Sequence, residues 1–425
     1  MPSIDPFQTL PVPDPAAAAH SARVLDHLRA EIAATGGAMS FARFMELALY
    51  APGLGYYCAG TRKFGAGGDF ITAPELSPLF SRCLAHQCRE ILDVLGGGAI
   101  LELGAGSGIM AADLLQELRT LNALPEQYAI LELSGDLRER QRQTLAEQVP
   151  ELLERVIWLD TLPASGFRGV ILGNEVLDAL PVERFRITAQ GPRRLMVVST
   201  EGGLNWMEGE DDPAVTAMVA HIEAEIGERL PEGYTSEYVP RLREWLAAVA
   251  EPLSAGALLF IDYGYPRRDY YHPERHTGTL LCHYRHRAHD NPLILPGLQD
   301  ITANVDFTAV ADAALAVGLD VAGYTTQSYF LLGCGLMELL AEEIPPNPPL
   351  LKGGAIPPFE KGRSGGISPD THTPHLGVHY LEQARQVKLL TLPGEMGDRF
   401  QAIALTRNLE IPLRGFAFRD KRGRL

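Results

Sequence analysis

The sequence has 425 residues, a length that at about 100 to 200 residues per domain allows a multi-unit chain with a large core. Hydrophobic residues make up 46% and charged residues 21% of the chain, which excludes the disordered and fibrous classes. The 53 acidic residues outweigh the 37 Lys and Arg residues, giving a net charge of -16 that disfavours nucleic acid and anionic lipid and favours cationic partners.

Cysteine usage and the N-terminal segment bear on the compartment. The five cysteines include no C-x-x-C pair, which disfavours a disulfide framework and a zinc ribbon. The N-terminal residues are rich in Pro and Ala without an apolar signal core, and no run approaches the roughly 18 apolar residues of a membrane span. We therefore expect a cytoplasmic location without membrane insertion.

The first part of the chain is predicted to be a flexible arm, residues 1–20, followed by an N-terminal helical and loop extension, residues 21–95. Apolar residues at helical spacing indicate helices at 23–35, 41–50 and 79–95. The Gly- and Pro-rich stretch between the last two helices is a long loop. We interpret it as a candidate lid or binding loop, because compact domains usually retain such loops for function.

After residue 96 short apolar runs alternate with helical segments, a pattern that predicts a parallel sheet covered on both faces. Further apolar runs near 257, 321 and 400 bring the sheet to about seven strands. We divide the rest of the chain into a Rossmann-like cofactor-binding core (96–184), an inserted helical subdomain for the substrate (185–255), a continuation of the core (256–344), a low-complexity insertion (345–370) and the last core strand with the tail (371–425).

The strongest local motif is the run ELGAGSG, in which Glu102 precedes Gly104, Gly106 and Gly108. It follows a predicted strand and opens a predicted helix, so free backbone N–H groups can meet an anionic ligand there. A dinucleotide fingerprint would need its third glycine where Ile109 stands. An acidic residue before G-x-G-x-G instead resembles the first motif of class I S-adenosylmethionine-dependent methyltransferases.

Polar residues after the next strands complete a candidate cofactor site. Glu132, at the end of the second strand, can accept hydrogen bonds from both ribose hydroxyls. Asp160 follows the third strand, where such enzymes often contact adenine, and a solvated or capping aspartate is the alternative. Asn174 follows the fourth strand and offers an amide to the cofactor or the substrate. For Glu102 and Glu132 the alternative is a capping or surface acid.

Three further segments carry a family resemblance: GDFITAPELSPLF (68–80), GNEVLDALPVERF (173–185), and IDYGYP (261–266) with GLQDITANVDF (297–307). Together with the glycine loop, their order and wording across roughly residues 40 to 330 resemble the MidA-type methyltransferases, whose mitochondrial member dimethylates an arginine of a complex I subunit symmetrically. The resemblance implies an α/β fold: a Rossmann-like, seven-stranded class I methyltransferase core with an N-terminal helical and loop extension and a helical insertion. It also implies S-adenosyl-L-methionine as cofactor.

Methylation of arginine requires acidic groups, because a guanidinium is always protonated and carries only donors. Open parallel sheets bind ligands beyond the carboxyl ends of their strands. We therefore assign Glu175, after the fourth strand, as the leading guanidinium clamp and Asp178 as its partner, both catalytic. For Asp178 the alternative is a cap for a helix beginning at Leu177.

Other polar residues of the motifs are candidates with more open roles. The loop 67–75 offers polar groups and an apolar wall, and we place two of its residues toward the cofactor (Thr72 and Glu75) and two toward the substrate (Asp69 and Phe70). Three acids could bind a cationic peptide or serve in turns and caps: Asp262, Asp300 and Asp306. The His- and Arg-rich stretch 272–289 lacks a ligand pattern, so no metal site is expected, and Tyr56 and Tyr57 are predicted to pack in the core.

The sequence thus indicates an S-adenosylmethionine-dependent methyltransferase, with a protein arginine acceptor implied by the resemblance. The expected partner is a protein substrate, with a respiratory complex subunit as one candidate, and no nucleic acid is expected. Two alternatives stay open. One is methylation of a small molecule or RNA on the same fold. The other is an assembly factor that binds the cofactor without turnover.

Overall fold

A computed structural model describes residues 10–59, 71–343 and 375–425. The predicted low-complexity insertion 345–370 and the candidate residues Asp69 and Phe70 lie outside these ranges. The α-helices are α1 (Pro15–Ala34), α2 (Phe41–Tyr50), α3 (Ala73–Leu76), α4 (Pro78–Leu95), α5 (Ile109–Thr120), α6 (Gly135–Gln148), α7 (Pro213–Ile226), α8 (Leu242–Ala250), α9 (Arg267–Tyr270), α10 (Phe307–Ala316), α11 (Gln327–Gly333), α12 (Leu336–Glu343), α13 (His375–Thr391), α14 (Met396–Arg399) and α15 (Arg414–Ala417).

The strands divide among three sheets. They are β1 (Ala38–Ser40), β2 (Ala99–Leu103), β3 (Tyr128–Leu131), β4 (Val156–Leu159), β5 (Phe167–Asn174), β6 (Glu183–Thr188), β7 (Gly191–Thr200), β8 (Gly203–Glu208), β9 (Thr235–Tyr238), β10 (Leu253–Tyr265), β11 (Leu281–Tyr284), β12 (Arg287–His289), β13 (Asp300–Thr302), β14 (Val305–Asp306), β15 (Asp320–Thr326) and β16 (Phe400–Arg407).

The central sheet has the strand order β15-β16-β10-β5-β2-β3-β4, with β14 beside β10. Neighbours from β4 to β10 run parallel, whereas β16 is antiparallel to both β10 and β15. Helices α4 and α5 pack in the core on one face, and α8 and α10 in the core on the other. This arrangement confirms the Rossmann-like α/β prediction; the seven strands of the main order match the expected number, and β14 adds an eighth. It places the carboxyl ends of β2, β3, β5 and β10 at one edge.

The segment predicted to be a helical insertion, residues 185–255, contains strands as well as helices. β6, β7, β8 and β9 lie in a second, antiparallel sheet, and β1 of the N-terminal extension pairs with β7. Turn glycines Gly191 and Gly203 have φ of 109° and 120°, which suits tight hairpins. Helix α8 packs its Leu246 against the central sheet, so the chain returns to the core before residue 255.

The predicted flexible arm ends earlier than expected, because α1 begins at Pro15. Asp14 caps this helix: its carboxylate accepts hydrogen bonds from the backbone N–H groups of Ala16 and Ala17. The Pro- and Ala-rich composition that indicated an arm is also suited to a first helical turn. A buried stripe then fixes α1 against the extension: Val24, Leu28 and Ile32.

The His- and Arg-rich stretch contributes β11 and β12 to the small third sheet, β12-β11-β13. Within the described ranges no group of three or more His, Cys, Asp or Glu side chains is placed to hold a metal ion. Over the same ranges, no helix combines the length and apolar character that a membrane crossing requires.

Candidate functional site

A cavity of about 540 Å³ lies at the carboxyl-end edge of the central sheet. Its lining brings together candidates that the sequence places far apart: Thr72, Glu75, Glu102, Gly104, Gly106, Glu132, Asn174, Glu175, Asp178 and Asp300. A cavity of this size falls within the range of small-molecule sites, which combine an apolar wall with a few polar groups.

The glycine loop connects β2 to α5 and uses left-handed backbone at each glycine. Gly104 and Gly106 have φ of 65° and 53°, and the space that a Cβ would take at either position is open. Gly108 has φ of 86°, but a Cβ there would lie 3.0 Å from the Cα of Gln141. Gly108 is outside the lining, so its predicted cofactor contact is replaced by close packing of α5 on α6.

Glu132 follows β3 and is held in position by two donors. The backbone N–H of Ser134 lies 2.9 Å from Oε1, and the side-chain amide of Gln141 lies 3.0 Å from Oε2. The same amide nitrogen also donates to the carbonyl of Gly106 at 3.1 Å. Gln141 therefore ties the acidic group to the glycine loop. Gln141 is not among the residues predicted from the sequence, although a Gln at helical spacing between Leu137 and Leu145, on the buried face of α6, was a signal.

Glu102 is buried in the lining at the end of β2. The hydroxyl of Tyr128 donates to its Oε2 at 2.7 Å. Burial raises the pKa of Glu102 to about 7, an effect that the Tyr128 hydrogen bond opposes and the charge of Glu132 reinforces. The carboxyl is thus a fixed hydrogen-bonding group beneath the glycine loop.

Helix α3 brings the N-terminal extension to the glycine loop. The hydroxyl of Ser107 donates a short hydrogen bond to the carboxylate of Glu75, and both residues line the cavity. Thr72 lines it as well, at the residue preceding α3. The loop predicted as a lid or binding segment therefore contributes to the site through its described C-terminal part.

The turn after β5 presents the acidic pair. Glu175 adopts a left-handed φ of 52°, and its N–H donates to the carbonyl of Ile261 at 2.9 Å. The amide of Asn174 donates to its carboxylate at 3.2 Å. Burial, followed by the charge of Asp178, raises the pKa of Glu175 to about 8. A non-glycine residue in this conformation costs on the order of 1 kcal/mol, a strain typical of functional sites.

Asp178 is buried in the same turn, where the predicted helix at Leu177 does not form. Its Oδ2 accepts a hydrogen bond of 2.5 Å from the hydroxyl of Tyr263, whereas Oδ1 has no hydrogen-bond partner among the residues that the structure describes. Burial raises the pKa of Asp178 to about 6, and the Tyr263 hydrogen bond opposes the shift. Asp178 therefore lines the cavity and carries a buried acceptor oxygen that no described residue satisfies.

Asp262 was predicted to bind substrate, and the structure corrects that assignment. It is fully buried and lies outside the lining. Its Oδ2 accepts hydrogen bonds from the backbone N–H groups of Val176, Leu177 and Asp178 at 3.1, 2.8 and 3.2 Å. Burial and the neighbouring charges of Asp178 and Glu175 raise its pKa well above the usual range. Asp262 supports the turn that carries Glu175 and Asp178.

We expect Asp262→Ala to lower the free energy of unfolding by about 2–4 kcal/mol, because three buried N–H groups lose their acceptor. Urea denaturation followed by circular dichroism measures this loss. Asp160→Ala is the control, with a change below about 0.5 kcal/mol, because that side chain is 87% exposed. If Asp262→Ala is as stable as the wild type but binds a peptide substrate more weakly, the predicted role of Asp262 in substrate binding would be supported.

Two other predicted contacts lie outside the lining. The carboxylate of Asp160 forms an exposed ion pair with Arg138 at 2.8 Å, so the solvated alternative describes it better than adenine contact. Asp306 caps α10 by accepting from the N–H of Ala309 at 3.0 Å and pairs with Arg267 at 3.0 Å. Capping takes the place of its predicted peptide contact.

Tyr57 was predicted to pack in the core but lines the cavity, whereas Tyr56 is buried as expected. The hydroxyl of Tyr57 donates to Oδ1 of Asp300 at 2.8 Å, and its ring stacks on Tyr50 with centroids 5.5 Å apart. The hydroxyl of Tyr50 donates to the carbonyl of Ala179 at 2.9 Å. Nothing in the residue pattern separates the two adjacent tyrosines.

Comparisons with known proteins agree with this geometry. Residues 83–325 match the profile of a family of S-adenosyl-L-methionine-dependent methyltransferases. The mitochondrial protein arginine methyltransferase NDUFAF7 of Danio rerio is 28% identical over 79% of this chain and 82% of its own length. Its Mus musculus counterpart is 30% identical over 69% and 70%. A Burkholderia thailandensis crystal structure bound to S-adenosyl-homocysteine is 41% identical, covers 98% of this chain and 100% of that chain, and has a TM-score of 0.87.

The residues of the cavity fit S-adenosyl-L-methionine, the cofactor of this family. Gly104 and Gly106 leave open space beside the start of α5, where backbone N–H groups would hold the methionine carboxylate. Glu132 would accept hydrogen bonds from the ribose hydroxyls. The buried Oδ1 of Asn174 has no hydrogen-bond partner within the described ranges and can accept a further donor. By its fold, its glycine loop and its relatives, the chain belongs to the S-adenosyl-L-methionine-dependent methyltransferases.

Proposed function

We propose that this chain is a protein arginine N-methyltransferase. The observation that carries the proposal is the acidic pair Glu175 and Asp178, which lie on one turn and line the same cavity as the candidate cofactor residues. Oδ1 of Asp178 is buried and has no hydrogen-bond partner among the described residues. The names of the NDUFAF7 relatives support the same acceptor. A buried, incompletely paired carboxylate is costly unless a cationic ligand completes it.

The pair suits a guanidinium for geometric and chemical reasons. A guanidinium is planar and presents its donors in a fixed fork, so acceptors on two carboxylates can fix the plane in which it lies. Glu175 is positioned to accept the proton that the guanidinium loses when its nitrogen forms the new bond. The bound cofactor supplies the methyl group as an electrophilic sulfonium. The residues of this chain orient the acceptor and exclude water.

The charge balance supports a cationic protein segment as substrate, since the chain carries a net charge of -16. Within this proposal the substrate is a subunit of a respiratory complex and the reaction takes place in the cytoplasm. The support for the subunit is the resemblance of the motifs between residues 40 and 330 to MidA-type enzymes.

The experiment incubates the purified protein with a cell extract and S-adenosyl-L-methionine labelled at its methyl group, with Glu175→Gln as the paired control. Portions of the product are treated with protease, with nuclease or by filtration. Label released by protease, and absent with the variant, supports the proposal. Label released by nuclease would identify RNA as the acceptor, and label passing the filter would identify a small molecule. Absence of label would favour cofactor binding without turnover.

The raised pKa of Glu175 predicts a pH dependence. Below about pH 8 the free enzyme holds Glu175 largely protonated, so it cannot clamp a cation until it loses that proton. We expect kcat/KM for an arginine peptide to rise with pH and level off near pH 8 to 9. The kcat profile should lie at lower pH, because the bound cation lowers the pKa of Glu175. Initial rates between pH 6 and 9.5 measure both, and a kcat/KM that is flat or falls with pH contradicts the role.

A further inference from the structure

We propose that the N-terminal extension forms a second half of the acceptor site, in which Tyr50, Tyr57 and Asp300 hold the guanidinium and make the site prefer arginine to lysine. The inference rests on the proposed function and adds a specificity device to it. The three residues line the same cavity as Glu175, although they come from α2, the turn after it and β13.

Asp300 provides a fixed carboxylate. It is 2% exposed, and its Oδ1 accepts hydrogen bonds from the Tyr57 hydroxyl at 2.8 Å and from the N–H of Ile301 at 3.0 Å. Burial and the Asp300 charge raise the pKa of Tyr57 well above its usual range, so the phenol remains a donor. Two donors on one oxygen set the plane of the carboxylate before a substrate arrives.

The tyrosine pair provides a fixed aromatic face. The rings of Tyr50 and Tyr57 are stacked with an interplanar angle of 22°. One ring is attached to Asp300 through its hydroxyl, and the other is attached to the carbonyl of Ala179, the residue after Asp178. The pair therefore connects the Asp300 carboxylate to the acidic turn, and both rings are held at their polar ends.

A fixed carboxylate beside an aromatic face distinguishes a guanidinium from an ammonium ion. A guanidinium stacks its flat face on an aromatic ring and uses its edge to donate to carboxylates, whereas an ammonium is a compact, strongly hydrated point charge. The negative charge of Asp300 also acts on Glu175, because it contributes to the raised pKa of that carboxyl group. A cation bound between these carboxylates reduces their mutual repulsion. A planar cation can also stack on the tyrosine rings.

The test uses protein saturated with S-adenosyl-homocysteine and measures binding of ethylguanidinium and butylammonium by ligand-detected NMR. We expect the wild type to bind ethylguanidinium roughly tenfold more tightly than butylammonium. Tyr57→Phe and Asp300→Asn should each reduce that preference toward one without changing the affinity for S-adenosyl-homocysteine. Tyr271→Phe is the control, because it also removes a buried, hydrogen-bonded hydroxyl but lies outside the cavity lining.

The outcomes separate this inference from the proposed function. Wild-type preference in both variants, or no preference in the wild type, overturns the inference even if the enzyme methylates arginine. Loss of preference in the variants supports it even if no methylarginine is formed, in which case the proposed reaction fails alone. If Asp300→Asn does not fold, Tyr57→Phe decides the question, because it keeps the ring and removes only the hydroxyl.

Discussion

Replacing Glu175 by Gln is expected to lower kcat by about 10²- to 10⁴-fold, the range typical of a lost acid–base group. The amide keeps the size of the side chain but cannot carry the negative charge or accept the guanidinium proton. The cofactor half of the cavity is built by other residues, so binding of S-adenosyl-homocysteine should stay within about twofold by calorimetry. Single-turnover rates with a labelled methyl donor measure the loss.

The same variant has a stability signature. The pKa of Glu175 is raised in the folded protein to about 8, so folding favours the protonated form and the wild type loses stability as the pH rises from the unfolded value toward 8. Gln does not titrate, and Glu175→Gln should therefore melt at the same or a higher temperature than the wild type at pH 8.5. A lower melting temperature together with lost activity would indicate a structural role for Glu175. Full activity of Glu175→Gln would show that Glu175 does not act as the guanidinium clamp.

Gly106→Val is expected to weaken S-adenosyl-homocysteine binding by at least about 100-fold, which corresponds to about 2.7 kcal/mol. The valine must adopt φ near 53°, a conformation that β-branched residues strongly disfavour. It would also place its side chain in the open space of the cavity lining. Isothermal titration calorimetry measures the affinity, and circular dichroism checks that the fold persists.

Gly227→Val is the matched control for that experiment. Gly227 ends α7 with φ of 79°, no heavy atom stands within 4 Å of the Cβ it would carry, and it is outside the cavity lining. It therefore imposes a similar backbone strain away from the site. Equal loss of affinity in both variants would mean that strain, and not occupation of the cavity, causes the effect.

The sequence predicted which glycine-loop and strand-end residues lie together in one cavity, because their signals are local. Gly104 and Gly106 stand between a strand and a helix, and Glu132 follows the next strand, so strand order alone brings them to one edge. Asn174 and Glu175 reach the same edge for the same reason. These positions depend only on the parallel order of neighbouring strands.

The roles of the remaining acids could not be predicted, because they depend on which groups face them across the fold. Asp262 lies within β10 and Asp300 begins β13, in motifs of similar composition. Asp262 accepts hydrogen bonds from three N–H groups of the turn after β5, whereas Asp300 accepts one from a tyrosine 243 positions away in the chain and lines the cavity. Contacts between segments that are far apart in the chain cannot be predicted from residue spacing.

The second sheet was missed for a related reason. The segment of β7 carries two arginines before a short apolar run, and both form ion pairs with the segment after β8: Arg193 pairs with Asp211, and Arg194 with Asp212. Strand propensity depends on neighbouring strands, and one neighbour here, β1, comes from the N-terminal extension. A pairing partner about 160 positions earlier in the chain cannot be read from local pattern.

The central claim is that the methyl group is transferred to an arginine side chain of a protein. The most direct measurement is hydrolysis of the labelled protein product to amino acids, followed by chromatography and mass spectrometry against methylated standards. We predict that the label is recovered as methylarginine from the wild type and is absent with Glu175→Gln. Recovery as methyllysine or as another methylated amino acid, with no methylarginine, would contradict the account.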